Sequence, residues 1–302
     1  MNLAFISKNI YDKPLKICPL CDSPEIKQNY TINKYNPQFK VDRCSACGFM
    51  FMNPRFSMHL VKNLYNEDYY SGNAEYSYYD ERDAETYSRF VWERRIKKIR
   101  QYVQTGNFLD VGCAFGGLLK TASEYFTPFG IEISKYSGSR AKALFGENIH
   151  IGSLSDHHFK HSFFSVITMI ELLEHVNDPI PAVTECYNLL KKGGLLIIQT
   201  ANMDGLQAKI LKEKYGYFMP GHFSYFTKSN LEDLLRKTGF NKIKVFYPVE
   251  FGLLPKLLKS RYNFKSFLDY VKWIRIAYYH YISKIRFGNF AATSSMVIYA
   301  VK

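Results

Sequence analysis

Residues 108–117 read Phe108-Leu109-Asp110-Val111-Gly112-Cys113-Ala114-Phe115-Gly116-Gly117, and this stretch decides the fold. An apolar run ends in a carboxylate. Small residues follow, and Leu118, Leu119 and Ala122 then open a helix-period pattern. The reading is strand, tight turn, helix. Gly112 and Gly116 let a ligand approach the backbone closely. In such a corner the ligand lies on the carboxyl edge of the strand, at the helix N-terminus.

A dinucleotide fingerprint requires G-x-G-x-x-G, which the small residues here fit poorly. Asp110, two residues before the first glycine, would repel a pyrophosphate and welcome a cation. A phosphate-free, positively charged ligand that suits this edge is S-adenosylmethionine. The stretch resembles motif I of class I S-adenosylmethionine-dependent methyltransferases, acid-x-Gly-x-Gly-x-Gly, with Ala114 in place of the middle glycine. The resemblance implies cofactor contacts at Asp110, Gly112, Cys113, Ala114 and Gly116. Read as an ordinary strand-turn-helix corner, the same stretch carries no ligand, so the downstream pattern decides.

Phe129-Gly130-Ile131-Glu132-Ile133 reads as the second strand, with Glu132 placed 22 residues beyond Asp110. An acid at that strand end can accept hydrogen bonds from a ribose diol, and the resemblance assigns Glu132 that role beside Ile133. Residues 148–154 form the third strand and an adenine-side turn at Ser153 and Leu154, where an acid is often found and none stands here. His157, His158 and His161 follow in a polar loop that offers no ligand scaffold. Phe163 to Ile170 is the fourth strand, with Ile170 on the cofactor edge. Glu171-Leu172-Leu173-Glu174-His175 comes next and is similar to a run in ubiquinone-biosynthesis O-methyltransferases. There the run is associated with magnesium, which would imply Glu171, Glu174 and His175 as ligands; carboxylates suit that ion better than imidazole does. The same string also occurs as plain structure.

Asp178 and Pro179 start the next helix, Gly193-Gly194 ends it, and Leu195 to Thr200 is strand five. Asn202 points to the substrate side. Residues 203–227 form an aromatic lid with His222 as first choice of general base, since the imidazole pKa range fits deprotonation of a hydroxyl near neutral pH. A structural histidine that hydrogen-bonds the lid is the competing reading. Ser229 to Glu232 is a capping box, Lys242 to Tyr247 is strand six, and Met296 to Val301 returns antiparallel as strand seven.

Upstream, Cys18-Pro19-Leu20-Cys21 and Cys44-Ser45-Ala46-Cys47-Gly48 are two C-x-x-C pairs separated by 22 residues. Two such pairs without a secretion signal favour metal over disulfide, and four thiolates complete a closed tetrahedral zinc site, structural rather than catalytic. Lys40 to Arg43 and Phe49 to Met52 read as its strands. An Asn53-Pro54-Arg55 turn, a Tyr69-Tyr70 segment, a polar loop over 71–83 and a helix over about 84–104 follow. A zinc ribbon, Asn-Pro-Arg turn, Tyr-Tyr segment, helix and motif I in this order are similar to a bacterial methyltransferase family common in surface-polysaccharide gene clusters. Tyr69 and Tyr70 either cover the cofactor or pack the ribbon.

The chain has 302 residues, 47% hydrophobic, enough for one large domain and a small one. Its net charge of +13 suits nucleic acid, anionic membrane or phosphorylated substrates without choosing among them. No apolar run reaches about 18 residues. Between Phe251 and Gly288, however, eight basic residues stand against one acid, Asp269, amid apolar residues at helical spacing. This stretch reads as a membrane-surface anchor, a docked helix pair or dimer face, or an RNA contact.

The expected architecture is therefore α/β: a doubly wound, Rossmann-like seven-stranded sheet with an antiparallel last strand. Residues 1–56 form the ribbon, 57–105 a linker and covering helix, and 106–302 the methyltransferase domain with 251–288 inserted. The resemblance implies direct methyl displacement from S-adenosylmethionine to a hydroxyl of a small-molecule or lipid-linked glycan precursor, with His222, His175 and Glu171 as catalytic residues. It also implies a cytoplasmic protein, or one peripheral to the inner membrane face. An RNA methyltransferase and a non-catalytic binding protein of the same fold are the rival readings, with nucleic acid ranked behind the glycan acceptor.

Overall fold

The structure is a computed structural model that describes residues 10–57, 60, 81–247, 253–261, 264–282, 284–287 and 290–302. Tyr69 and Tyr70 lie outside the described residues. The N-terminal strands β1 (Ile26–Ile32), β2 (Phe39–Cys44) and β3 (Met50–Met52) form an antiparallel meander. Helix α1 (Glu81–Ile99) follows. It begins a turn earlier than the sequence pattern suggests and ends before Gln104.

The main body alternates strand and helix. It runs β4 (Gly106–Val111), α2 (Gly117–Ala122), β5 (Phe126–Glu132), α3 (Lys135–Phe145), β6 (Ile149–Ile151), β7 (Phe164–Ile170), α4 (Pro179–Leu189) and β8 (Leu190–Ala201). Then come α5 (Leu206–Leu211), β9 (Ser224–Tyr225), α6 (Lys228–Thr238), β10 (Asn241–Phe246), α7 (Leu253–Ser260), α8 (Val271–Ile282), β11 (Arg286–Phe287), β12 (Phe290–Ala291) and β13 (Ser295–Val301). The large sheet has the order β10-β13-β8-β7-β4-β5-β6. β13 runs antiparallel to both its neighbours, and the other pairings are parallel. This is the expected seven-stranded arrangement. Its central strands are covered on both faces, so they read as near-continuous apolar runs: Leu195 to Ile198 are all essentially inaccessible.

Chain order reverses between β4 and β7, and the crevice outside their carboxyl ends is where such sheets bind ligands. Helix α1 closes one side of it. The Trp92 ring lies directly over Gly117, leaving no room for a Cβ there.

Two expected boundaries shift for identifiable reasons. Helix α4 stops at Leu189, and Gly193-Gly194 belong to β8 instead of capping the helix. The C-terminal residue supplies the strand bonds: Gly193 N–H donates to the Lys302 carbonyl, and Lys302 N–H to that of Gly194. The capping box of α6 starts at Thr227, not Ser229; the Thr227 hydroxyl accepts from Asn230 N–H at 3.2 Å.

The ribbon is joined to the body through its sheet. β3 pairs with β9 of the lid segment, making a four-stranded sheet, and the Phe49 ring packs on Phe226 with centroids 5.2 Å apart.

Candidate functional site

The four ribbon cysteines converge. Their sulfurs lie within 4.8 Å of one another, with Cys18 and Cys47 Sγ 3.7 Å apart and Cys21 and Cys44 Sγ 3.6 Å apart. A tetrahedron with metal–sulfur bonds of about 2.3 Å has edges of about 3.8 Å, so the donor set fits zinc and excludes disulfides at these separations. Both turns are built as metal knuckles. Asp22 N–H donates to the Cys18 carbonyl and Gly48 N–H to that of Cys44, and Leu20 N–H points at Cys18 Sγ. Gly48 takes φ +74, the left-handed conformation that closes the second turn.

The motif I turn adopts left-handed φ at Gly112, Ala114 and Gly116, at +80, +46 and +84. Ala114 thus accepts the backbone conformation a glycine would take more cheaply. Asp110, 5% exposed at the end of β4, accepts a 2.6 Å hydrogen bond from the Thr168 hydroxyl on β7. Cys113 is buried with its sulfur against Gly130, so only its backbone can serve a ligand. Glu132, buried at the end of β5, accepts from Ala114 N–H at 2.9 Å and Ser134 N–H at 2.8 Å. Ser137 and the Ile133 amide add further donors, while burial pushes its pKa up. The carboxylate therefore braces the glycine turn to the second strand. Ile133 lies outside the strand and is partly exposed, and Ile170 ends β7 on the same edge.

At the turn after β6, where no acid stands at position 153, Asp156 folds back onto Ser153. Asp156 Oδ1 accepts from Ser153 N–H at 2.7 Å and meets His150 Nε2 at 2.8 Å, and that histidine contact holds its pKa down. Leu154 packs its side chain into the core. His157 and His161 both turn to Glu185, at 3.1 and 3.3 Å.

The end of β7 gathers the remaining chemistry. Glu171 has φ +51. Its Oε1 accepts from Gln199 Nε2 at 2.6 Å, and Gln199 Oε1 accepts from the buried Arg95 on α1. Glu174 is 1% exposed; Oε2 accepts from the Thr200 hydroxyl at 2.9 Å, and Oε1 has no hydrogen-bond partner. Burial, reinforced by the neighbouring Glu171 charge, raises the Glu174 pKa well above the ordinary value.

His175 Nδ1 donates to the Gly221 carbonyl at 3.0 Å, and His222 Nδ1 to that of Tyr217 at 2.8 Å. In both rings Nε2 is then the lone-pair nitrogen. Burial lowers the His175 pKa to about 4 and, together with His175 itself, drives that of His222 well below its usual value. The expectation that His222 titrates near neutrality is thereby corrected, because a desolvated imidazolium is disfavoured.

The structure brings His222 to Glu174 and His175, with one ligating atom from each within 4.8 Å of the others. The set Glu171, Glu174 and His175 does not converge as a ligand group; Glu171 accepts from Gln199 and also lies against Glu174 and Tyr217. Asn202 is fully buried; its Oδ1 accepts from Asp204 N–H at 3.1 Å, and its Nδ2 has no hydrogen-bond partner among the described residues. Sequence reading missed Arg95, Gln199, Tyr217 and Asp156. Their signal was positional only, since each acts through a partner distant in sequence or folded back across a turn.

A family model described as a methyltransferase domain matches residues 79–245. An uncharacterized protein of Methanocaldococcus jannaschii is 23% identical over 160 residues, 52% of this chain and 75% of that one. The ubiquinone biosynthesis O-methyltransferase of Cereibacter sphaeroides is 33% identical over 100 residues, 30% of this chain; the match spans 40% of that enzyme's length. Phosphoethanolamine N-methyltransferase 2 of Haemonchus contortus, solved with S-adenosylmethionine, shares the fold at a TM-score of 0.54 and 14% identity, over 90% of this chain and 71% of its own.

Proposed function

The chain belongs to the methyltransferase-domain family, and from that premise we propose that it moves a methyl group from S-adenosylmethionine to a hydroxyl of a sugar or other glycan precursor. The observation that carries the proposal is a left-handed glycine turn at the β4 edge of the switch point, in a chain that also holds a buried His222–His175 pair following the neighbouring β7.

S-adenosylmethionine supplies an electrophilic methyl on a sulfonium. On the protein side, the turn from Gly112 to Gly116 gives backbone approach, and Asp110, held by Thr168, gives a negative edge. Glu132 meets the ribose hydroxyls by exchanging the weaker of its present contacts. Asp156 and Ser153 border the adenine.

His222 takes the acceptor proton at Nε2. Burial keeps the ring neutral beforehand, so that its Nε2 lone pair is available, and the Nδ1 bond to the Tyr217 carbonyl fixes that tautomer. Glu171 is a positioning residue, fixed by Gln199 and Arg95. Magnesium has no part in the proposal, because the ligating atoms that converge are those of Glu174, His175 and His222 and not the Glu171, Glu174 and His175 set. The main gain is alignment of two reactants.

Beside His222 a groove of about 510 Å³ is lined by Gln207, Lys214, Tyr215, Tyr217 and Met219. Tyr215 is buried in its wall, so the partly exposed Tyr217 ring offers the sugar face; with the Gln207 amide and the Lys214 ammonium for hydroxyls or phosphate, the groove suits a glycan precursor. Zinc at the four cysteines would hold β3, and through it β9 and the lid.

Methyl-labelled S-adenosylmethionine, added with the protein to sugar-nucleotide, lipid and RNA fractions, tests this. Label in the sugar or lipid fraction, absent with Asp110→Ala, is the expected result. Label in RNA overturns the acceptor, and absence of S-adenosylmethionine binding in calorimetry overturns the activity.

A further inference from the structure

The insertion between β10 and β13 is not used by the proposed chemistry. Helix α7 packs on α1, and α8 packs on α7. The inner side of α8 is fixed: Trp273 Nε1 donates to the Ser260 hydroxyl at 3.0 Å, and His280 meets Lys256 at 3.3 Å. With that side tied down, the opposite side has a defined orientation.

That outer side is apolar and open. Phe267, Leu268, Val271, Ile274 and Tyr278 are between 60% and 86% exposed. Positions 267, 271, 274 and 278 follow one helical face, and a continuous exposed apolar stripe marks an interaction site.

Its charge selects the occupant. Eight basic residues and one acid lie between Phe251 and Gly288; Lys256 is on the inner side against His280, while the exposed Lys265, Lys272 and Arg275 stand beside the apolar stripe. The acid, Asp269, is already spent on Lys272 at 2.6 Å and on the amides of Lys265 and Ser266. A second copy docking through the same face would set like charges against each other. RNA would use the cations and aromatic rings but not Leu268, Val271 and Ile274. An anionic bilayer takes both, with aliphatic and aromatic groups entering the acyl boundary and lysine and arginine meeting headgroups. No described helix is long and apolar enough to cross a membrane, so the contact lies in the surface plane.

We propose that the outer face of α8 and the turn before it dock the protein on an anionic lipid surface. This goes beyond the methyl-transfer reading and is tested without it. The full chain is sedimented with phosphatidylcholine vesicles, with and without phosphatidylglycerol. Expected is pelleting that requires phosphatidylglycerol and weakens with salt. Ile274→Glu should reduce partitioning at least about tenfold, and Arg275→Gln about fivefold. Val271→Ser serves as a second apolar variant, and thermal melts confirm that each variant is folded.

Equal partitioning onto neutral vesicles, no binding at all, or unchanged binding by Ile274→Glu and Val271→Ser overturns the proposal. So does a dimer in light scattering that Ile274→Glu dissociates, which would give the face to a second copy.

Discussion

The rings of His222 and His175 stand edge to face, with centroids 4.4 Å apart and planes at 82°. Each donates its Nδ1 proton to a carbonyl of the same lid segment, Tyr217 or Gly221. One loop therefore sets both tautomers.

If His222 is the proton acceptor, His222→Ala lowers kcat by about 10²–10⁴-fold, the usual worth of a general base. Affinity for S-adenosylmethionine should stay within about twofold, because His222 lies on the acceptor side. Steady-state kinetics beside calorimetry measure the two. A kcat near wild type, or a loss confined to cofactor affinity, removes His222 from the base role.

His175 should make the protein acid-sensitive. Its folded pKa, about 4, is depressed from the ordinary 6.5, so the neutral form is the one the fold tolerates. At high pH nothing is lost. As pH falls below 6.5 the unfolded chain takes up a proton that the folded chain refuses, and stability declines until the folded pKa is reached. The loss from this group is about 2 kcal/mol by pH 5. Urea midpoints of wild type and His175→Gln at pH 7 and pH 5 read it, and the variant should lose less on acidification. Parallel declines in both proteins would show that His175 does not carry the effect.

Glu132 braces the Ala114 turn, and one substitution can separate that from the proposed ribose contact. Glu132→Gln keeps an acceptor oxygen for the amides it braces and loses the charge. It should weaken S-adenosylmethionine binding by about 10–100-fold, the worth of a hydrogen bond to a charged group. Calorimetry measures this. If melting temperature falls while affinity holds, Glu132 is only the brace of the Ala114 turn.

The sequence carried the sheet because its signals are local: apolar strands of fixed period, and glycines where φ turns positive. It also carried the ribbon, since two C-x-x-C pairs constrain four sulfurs. Boundaries that depended on distant partners were misread. Gly193-Gly194 look like a helix end until Lys302 supplies their strand bonds. The titration of His222 was misread for a similar reason, because burial arises from the packing of lid, ribbon and β7 end, and no local pattern reports it. The contact of Asp156 with Ser153 was not legible either, because it lies three residues on and only the folded turn brings the carboxylate back.

The ribbon and the acceptor side are mechanically one unit, which leads to the last expectation. Met52 N–H donates to the Phe223 carbonyl, and Phe223 N–H donates to the Glu174 carbonyl at 2.7 Å. Asn230 at the start of α6 donates to the Cys47 carbonyl at 2.8 Å. If the four cysteines hold zinc, as their convergence suggests, losing it should loosen β3, then β9 and the neighbouring His222, while motif I on the far side of β7 keeps its turn. Protein purified without added metal should hold about one zinc per chain. Stripping that zinc, or Cys44→Ser, should cost about 10²-fold in acceptor kcat/KM, the effect of a misplaced group, with cofactor affinity largely kept. Metal analysis, calorimetry and turnover on the same preparations make the comparison. Full acceptor turnover in metal-free protein, or well under half a zinc per folded chain, would falsify the coupling of ribbon to lid.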